Sequence, residues 1–160
     1  MLFRSDQPQI QVNQRFPLFY PELRPFFLEG QEVFNIPRSP VTLVHTRTII
    51  DPRYGAKVTG KVGKTTLGLV VANDEAPGKL DDPADPAFGR NANFVLGRVR
   101  YDLYSESNVG LIFTDREFGD EFSRVGGADA QFTIGRNNRL FVRTIFSDHK
   151  DAAGVKRTGH

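Results

Sequence analysis

Six charged side chains occupy polar positions within stretches where apolar and polar residues alternate: Lys57, Lys61, Arg98, Arg100, Asp102 and Arg143. Alternation with a period of two is typical of a β-strand, and it places these residues on one side of each strand and the apolar residues on the other. Charged groups gathered on one side of a sheet suit contact with water or with a polar ligand. We take these six residues as the candidate site.

Residue types that could perform catalysis or bind metal do not occur at the required spacing. The histidines lack the spacing of zinc ligands, and no serine in a turn has a histidine partner. Gly60 and Gly63 stand too close together for a phosphate-binding loop, and the acidic stretch 81–85 lacks the glycine and the distal glutamate of an EF-hand loop. We therefore predict no catalytic residue, no metal and no cofactor.

Three pairs of extended segments would position the candidate residues, namely 56–62 with 66–72, 93–104 with 109–116, and 129–135 with 139–147. Each pair is joined by a short turn, at 63–65, 105–108 and 136–138, so each pair is predicted to form a hairpin. In the last turn, Asn137 and Asn138 tolerate the positive φ that a tight turn needs.

The connections between these hairpins are long, at 73–92 and 115–128. Long loops that alternate with tight turns are uncommon in compact soluble domains, whereas outer-membrane barrels have short turns at one rim and long loops at the other. The predicted fold class is therefore all-β, an antiparallel meander of hairpins forming part of an incomplete transmembrane β-barrel. A soluble antiparallel sandwich or a lipocalin-like barrel would show the same alternation.

Bulk composition is compatible with this prediction. The mean hydropathy is −0.38 and no long apolar run occurs, so a transmembrane helix is not expected. A barrel strand alternates between lipid and water and is only half apolar. The formal net charge of +2 comes from scattered residues of both signs, so nucleic acid is not an expected partner. The chain has no cysteine, which does not discriminate between compartments.

Charge predicts which side of each strand faces lipid. A basic side chain at mid-depth on the lipid face would cost about 2 to 4 kcal/mol, so the six candidate residues are predicted to face the barrel lumen. Four aromatic residues lie beside the apolar stripes near the segment ends and could form an interfacial girdle or belong to an ordinary core: Tyr101, Tyr104, Phe113 and Phe146.

An aromatic segment precedes the predicted strands, "RFPLFYPELRPFFLEGQEVFN" at 15–35. It does not alternate, and Pro21 and Pro25 argue against a helix. We expect it to line or plug the barrel mouth. In that position Arg24 and either Glu29 or Glu32 would meet lumen charges such as Arg98, Arg100 or Asp102.

The same segment resembles a bacterial envelope family in which a carbohydrate-binding, family-9-like β-sandwich precedes a C-terminal domain of unknown function 5916, which is taken to be an outer-membrane barrel. The stretches Gly55–Gly63 and Asn93–Leu103 are also similar to early barrel strands of that family. The family-motif residues are Pro21, Glu22, Arg24, Pro25, Phe26, Phe27, Leu28, Glu29 and Gly30.

The resemblance implies a location in the outer membrane of a Gram-negative type bacterium, contact with membrane lipid, and binding or passage of an envelope substrate, with carbohydrate as one class. It implies no reaction. We expect residues 1–5 to be a non-native start, 6–41 an irregular Phe/Pro-rich lead-in, 42–147 the hairpins and 148–160 a frayed tail of a protein fragment. The alternative is a soluble periplasmic β-sheet module attached to a hydrolase or a carbohydrate-binding protein.

Overall fold

The computed structural model describes residues 22–36, 46–104, 106–135 and 137–159. Seven strands dominate it: β1 Pro52–Val62, β2 Thr65–Asp74, β3 Ala92–Asp102, β4 Asn108–Phe118, β5 Glu121–Ile134, β6 Asn138–Lys150 and β7 Lys156–Gly159. The one α-helix of these ranges, α1, spans Pro25–Leu28, and short 3-10 turns occur at Gln31–Val33, Thr46–Thr48 and Ala76–Gly78. The predictions for residues 1–5 and for Pro21 lie outside the described residues.

The seven strands form one antiparallel sheet in the order β1-β2-β3-β4-β5-β6-β7. Each strand pairs with its neighbour in sequence, so the predicted all-β antiparallel meander is confirmed. Among the described residues, β1 and β7 are the edges of an open sheet. No helix in the described ranges is long and apolar enough to cross a membrane.

The three predicted tight turns are confirmed, because each predicted pair of segments is a hydrogen-bonded hairpin. Gly63, Glu106 and Gly135 have positive φ values of 58°, 59° and 68°, one in each turn. In the last turn the left-handed residue identified is therefore Gly135, which the sequence analysis had assigned to a strand, and Asn138 already belongs to β6.

The second predicted long loop, 115–128, is wrong. β4 continues to Phe118 and β5 begins at Glu121, so only Gly119 and Asp120 connect them, and Gly119 has a φ of 59°. The alternation disappears from the sequence there because both sides of the strands carry polar or small residues. The first long connection is confirmed, since residues 75–91 lie between β2 and β3.

Two further boundaries differ from the prediction. The segment 148–160 was expected to fray, but β6 extends to Lys150 and Lys156–Gly159 pairs with it as β7. Pro25 was expected to argue against a helix, but it occupies the first turn of α1. Proline is tolerated at that position because the first backbone N–H groups of a helix have no partner within it.

The register divides the sheet into two faces. We call the side that carries Arg98 the Arg98 face and the side that carries Val99 the Val99 face. The hydrophobic core lies on the Arg98 face, where the chain at 22–36 and 46–49 covers β2, β3 and β4; its buried members are Phe27, Phe34, Ile49, Val70, Ala72, Leu96 and Ile112. Residues 22–36 of the predicted lead-in segment therefore pack on the charged side of the sheet.

Candidate functional site

The family-motif residues from Glu22 to Gly30 form part of the covering layer over the Arg98 face. Phe27 is buried, whereas Phe26 and Leu28 are partly exposed, and Gly30 follows the helix with a φ of 66°. A Cβ at Gly30 would lie 2.9 Å from the Thr59 hydroxyl oxygen on β1, so the chain passes close to the sheet here. Only a residue without a side chain combines that φ with such close contact.

Glu22 and Arg24 connect this layer to the turn at Thr46–Thr48. The Arg24 guanidinium donates to both Glu22 carboxylate oxygens at 2.8 Å, and to the carbonyl oxygens of Thr46 at 2.9 Å and Ile49 at 2.5 Å. The Thr46 hydroxyl also donates to Glu22, at 2.6 Å. The expected contact of Arg24 with lumen charges is therefore wrong, because its carboxylate partner is Glu22.

The Glu22 carboxylate is 5% exposed, so its charge depends on these donors. The hydrogen bonds from the Arg24 guanidinium lower the pKa of Glu22 from 4.5 to about 2, against the opposing effect of burial, and the Thr46 hydroxyl adds to the lowering. Charge-assisted hydrogen bonds of this kind stabilise the ionised form. Glu22 is thus an ionised structural clamp at neutral pH.

Lys57 and Gly68 fix the covering layer to the sheet itself. The Lys57 ammonium donates to the carbonyl oxygens of Phe26 and Glu29, the latter at 2.6 Å, and so satisfies carbonyls at the end of α1. On β2, a Cβ at Gly68 would lie 2.7 Å from the Phe34 ring. Lys57 therefore attaches the covering layer to β1 through hydrogen bonds. These contacts do not support its predicted role as a lumen-facing charge.

All six predicted polar candidates lie on the Arg98 face, as the alternation predicted. One row of laterally paired residues across the sheet contains three of them and runs from β1 to β6: Lys61, Thr66, Arg100, Gly110, Asp129 and Arg143. On the same face, Arg98 lies in the row before this one along β3, and Asp102 lies in the row after it. The sheet therefore gathers the charges of four separate strands into three consecutive rows.

Arg98 forms a buried ion pair with Asp129. Its two terminal nitrogens donate to the two carboxylate oxygens of Asp129, one of them at 3.0 Å, and the Arg98 side chain has no exposed surface. Gly110 makes room for this pair, since a Cβ there would lie 2.9 Å from Arg98 Nη2 and 3.1 Å from Asp129 Oδ1. The Arg98 guanidinium is thus a structural ion whose two terminal nitrogens are paired with Asp129, whereas its Nε has no hydrogen-bond partner among the described residues.

Asp102 is shared between two cations. The Lys61 ammonium donates to Asp102 Oδ2 at 2.6 Å, whereas Arg100 Nε lies 3.6 Å from Asp102 Oδ1. The Lys61 side chain is 54% exposed and that of Arg100 is 31% exposed. This end of the Arg98 face is therefore a charged surface within reach of solvent.

Sequence reasoning missed two residues of this arrangement, Asp129 and Gly110. Asp129 was placed at the start of an alternating segment, but its position diagonal to Arg98 depends on the register of three strands. The alternation could have placed Asp129 on the same face as Arg98, because Asp129 occurs on the polar side of its segment. Gly110 carries no sequence signal, since a glycine in a strand has several explanations.

The remaining polar groups suit structural roles. Asp74 has no exposed surface and accepts hydrogen bonds from the backbone N–H groups of Ile50 and Asp51, at 3.0 and 2.7 Å. In the first loop, Asp82 and Asp85 accept from the backbone N–H groups two residues further on. Within the described ranges, no group of three His, Cys, Asp or Glu side chains could hold a metal ion.

The Val99 face is exposed and apolar. Leu69, Val99, Leu111 and Val142 are 45%, 43%, 62% and 51% exposed. Tyr101 is next to the last residue of β3 and Tyr104 lies beyond it, near a rim of the sheet as predicted. Phe113 instead lies in the middle of β4, and Phe146 lies inside β6 before its end at Lys150, because these strands continue past the segment ends predicted from the sequence.

Charged residues border this apolar surface toward the 119–120 turn. Arg124 on β5 lies 3.2 Å from Asp115 and 2.5 Å from Glu117 on β4, at positions that share the Val99 face. Phe113 and Phe146 occupy the row immediately before this charged group. The apolar surface therefore ends abruptly at one side in an ion-paired border.

Comparison of the chain with protein-family models, with curated proteins and with solved structures found no match.

Proposed function

We propose that this sheet is part of the wall of an outer-membrane β-barrel, whose Val99 face contacts lipid and whose Arg98 face lines a water-filled interior where an envelope substrate binds or passes. The observation that carries the proposal is the exposed apolar Val99 face. Soluble monomers rarely expose a contiguous apolar surface of more than a few hundred Å². Hydrocarbon is a natural neighbour for such a face when the opposite face is charged.

Strand length supports the same proposal. β1, β3 and β4 have 11 residues each and β5 and β6 have 14 and 13. A tilted strand needs about 9 to 11 residues to span a bilayer. The mean strand of a soluble domain has only about 5 to 6 residues.

The second candidate function is that of a soluble envelope β-sheet module, and one observation favours it. The segment 22–36 already packs a buried core onto the Arg98 face, as a covering layer does in a soluble domain. In that case the Val99 face would be buried against another protein layer. Carbohydrate, as a class of envelope substrate, remains compatible with both candidates.

Spin labelling tests the proposal and is simplified by the absence of cysteine. Single cysteines replace Leu69, Val99 or Val142 on the Val99 face, and Lys61 or Asn108 on the Arg98 face, in protein reconstituted into phospholipid vesicles. We expect labels of the first set to be relaxed by oxygen and those of the second by a water-soluble nickel chelate. Similar behaviour of both sets, or burial of the first set against protein, would contradict the proposal and favour the soluble module.

A further inference from the structure

We infer that the Arg98 face holds an oxyanion site centred on Arg100, which binds a phosphate or carboxylate group of the substrate. The inference rests on the proposed function in taking this face to be open to water, and it deepens that function by naming a chemical class of ligand. It stands on the charge balance, the pairing and the exposure of the side chains around Arg100.

Cations outnumber carboxylates in the three rows around Arg100. Leaving aside Arg143, which takes part in a further interaction, three residues are cationic, namely Lys61, Arg98 and Arg100, and two are acidic, Asp102 and Asp129. Arg98 and Arg100 are two residues apart on the same side of β3, so their guanidinium groups raise each other's electrostatic energy. An external anion beside Arg100 would relieve that repulsion.

Neither carboxylate fully neutralises Arg100. Asp129 uses both of its oxygens for Arg98, and Asp102 holds the Lys61 ammonium at 2.6 Å. In the part of the chain that the structure describes, Arg100 pairs with Asp102 through a contact of 3.6 Å from its Nε. This contact is longer than the 2.6 Å hydrogen bond from Lys61 to the same carboxylate. The Arg100 side chain is 31% exposed, so a ligand can approach it from the solvent side.

Buried polar atoms beside Arg100 also lack partners. Thr66, opposite Arg100 on β2, is 6% exposed, and its hydroxyl has no hydrogen-bond partner among the described residues; the same holds for the Nε of the buried Arg98. Buried polar groups are normally satisfied, and each exception needs a reason. A bound oxyanion with its water would supply acceptors at this position.

In sequence, the stretches outside the described ranges are more basic than acidic. The stretches outside the described ranges contain one acidic side chain, Asp6, and the basic residues Arg4, Arg15, Arg38 and Arg136. Their net contribution is positive. Compensation of the Arg100 region is therefore expected from a ligand, and the planar guanidinium suits phosphate or carboxylate because it can donate two parallel hydrogen bonds.

Titration of inorganic phosphate into the detergent-solubilised protein, followed by phosphorus NMR line width, tests the inference. The ionic strength is held constant with chloride, so that screening is equal in all samples. We expect Arg100→Gln to weaken phosphate binding by at least about tenfold. The matched control is Arg53→Gln, because Arg53 is an exposed arginine at the start of β1, and it should leave binding within about twofold.

Two additions make the result decisive. Arg100→Lys keeps the charge without the forked geometry and should bind with intermediate affinity, which separates loss of the site from loss of the fold. Acetate as a competitor identifies a carboxylate preference if it displaces phosphate at lower concentration than chloride does. Absence of phosphate binding by the original protein, or equal binding by Arg100→Gln, would overturn the inference.

The two proposals fail separately. If labels on the Val99 face prove to be buried against protein while phosphate binding still depends on Arg100, the membrane proposal is wrong and the oxyanion site stands. If the labels report lipid and binding is independent of Arg100, the reverse conclusion follows.

Discussion

Glu22 and Arg24 show how two charged residues of an aromatic segment contribute to stability. A buried ion pair is favourable only when the desolvation of both charges is offset by good geometry and further hydrogen bonds. Here the Arg24 guanidinium contacts two carbonyl oxygens as well as the carboxylate, and Glu22 accepts an additional bond from Thr46. The pair therefore holds the covering layer to the residues that lead into β1.

The Glu22 clamp predicts loss of stability in acid. Because the folded-state pKa of about 2 lies below the ordinary value of 4.5, the stabilisation is fully present above about pH 4.5 and is lost as the pH falls through about 2. Glu22→Gln should reduce the free energy of unfolding by roughly 1 to 3 kcal/mol at pH 7. Urea unfolding followed by circular dichroism at several pH values measures this difference.

The control for that experiment is Glu32→Gln, which alters an exposed glutamate of the same segment. Its unfolding curves should follow those of the original protein at every pH. If the Glu22→Gln difference persists undiminished at pH values near 2, the clamp is not ionic and the prediction fails.

At the scale of elements, the covering layer depends on the sheet for its structure. α1 has four residues, far fewer than an isolated helix needs to be stable in water. It is held by the Lys57 ammonium, by the Glu22 clamp and by the contact of Phe34 with Gly68. We therefore regard residues 22–36 as a layer whose docking can be weakened without unfolding the sheet.

Gly68→Ala tests this dependence. The new Cβ would lie 2.7 Å from the Phe34 ring and 2.8 Å from Val33 Cγ1, so the covering layer must move, at a cost of about 1 to 3 kcal/mol. Limited proteolysis after Glu29 and Glu32, read by mass spectrometry, should become faster. Gly60→Ala is the matched control on β1, because no atom lies within 4 Å of its new Cβ. Equal cleavage of both variants would show that Phe34 does not anchor the layer.

The sequence predicted those elements whose two sides differ in polarity. In the stretch Ala56–Val62 every second residue is apolar or glycine, and the hairpins at 63–65 and 105–108 followed from such stretches. The prediction failed at 115–128, where Asp115 and Arg124 occupy the side that is apolar elsewhere. Of the candidate site, the common face of the charged residues was predictable. The pairing of Arg98 with Asp129 was not, because it depends on inter-strand register.

At the scale of the whole molecule, the height of the apolar surface can be compared with a bilayer. On β3 it runs from Val95 to Tyr101, which is about 20 Å along the strand at about 3.4 Å per residue. A strand tilted by about 45° would present about 14 Å of this height across the membrane. Known barrels have apolar bands of about 25 Å, so under the proposed function this apolar band is shorter than usual and fits a thin membrane better than a thick one.

Bilayer thickness should therefore control insertion. A mismatch costs fractions of a kcal/mol per Å, so we expect several-fold more carbonate-resistant protein in dilauroyl than in dioleoyl phosphatidylcholine vesicles. Leu111→Lys should reduce insertion in both lipids, because a cation on the Val99 face at mid-depth costs about 2 to 4 kcal/mol. Equal insertion of the original protein in both lipids would contradict this prediction.

Among the described residues β1 is an edge strand, and this has a further consequence for how the sheet can grow. An edge strand presents alternate backbone N–H and C=O groups that lack a ladder partner, and such a row is a template for another strand. A strand added there would continue the established pleat, so each of its residues would fall on the side set by its row. The added strand would therefore also have one charged face and one apolar face. Its register with β1 alone would determine these faces, and β2 to β7 would not have to change.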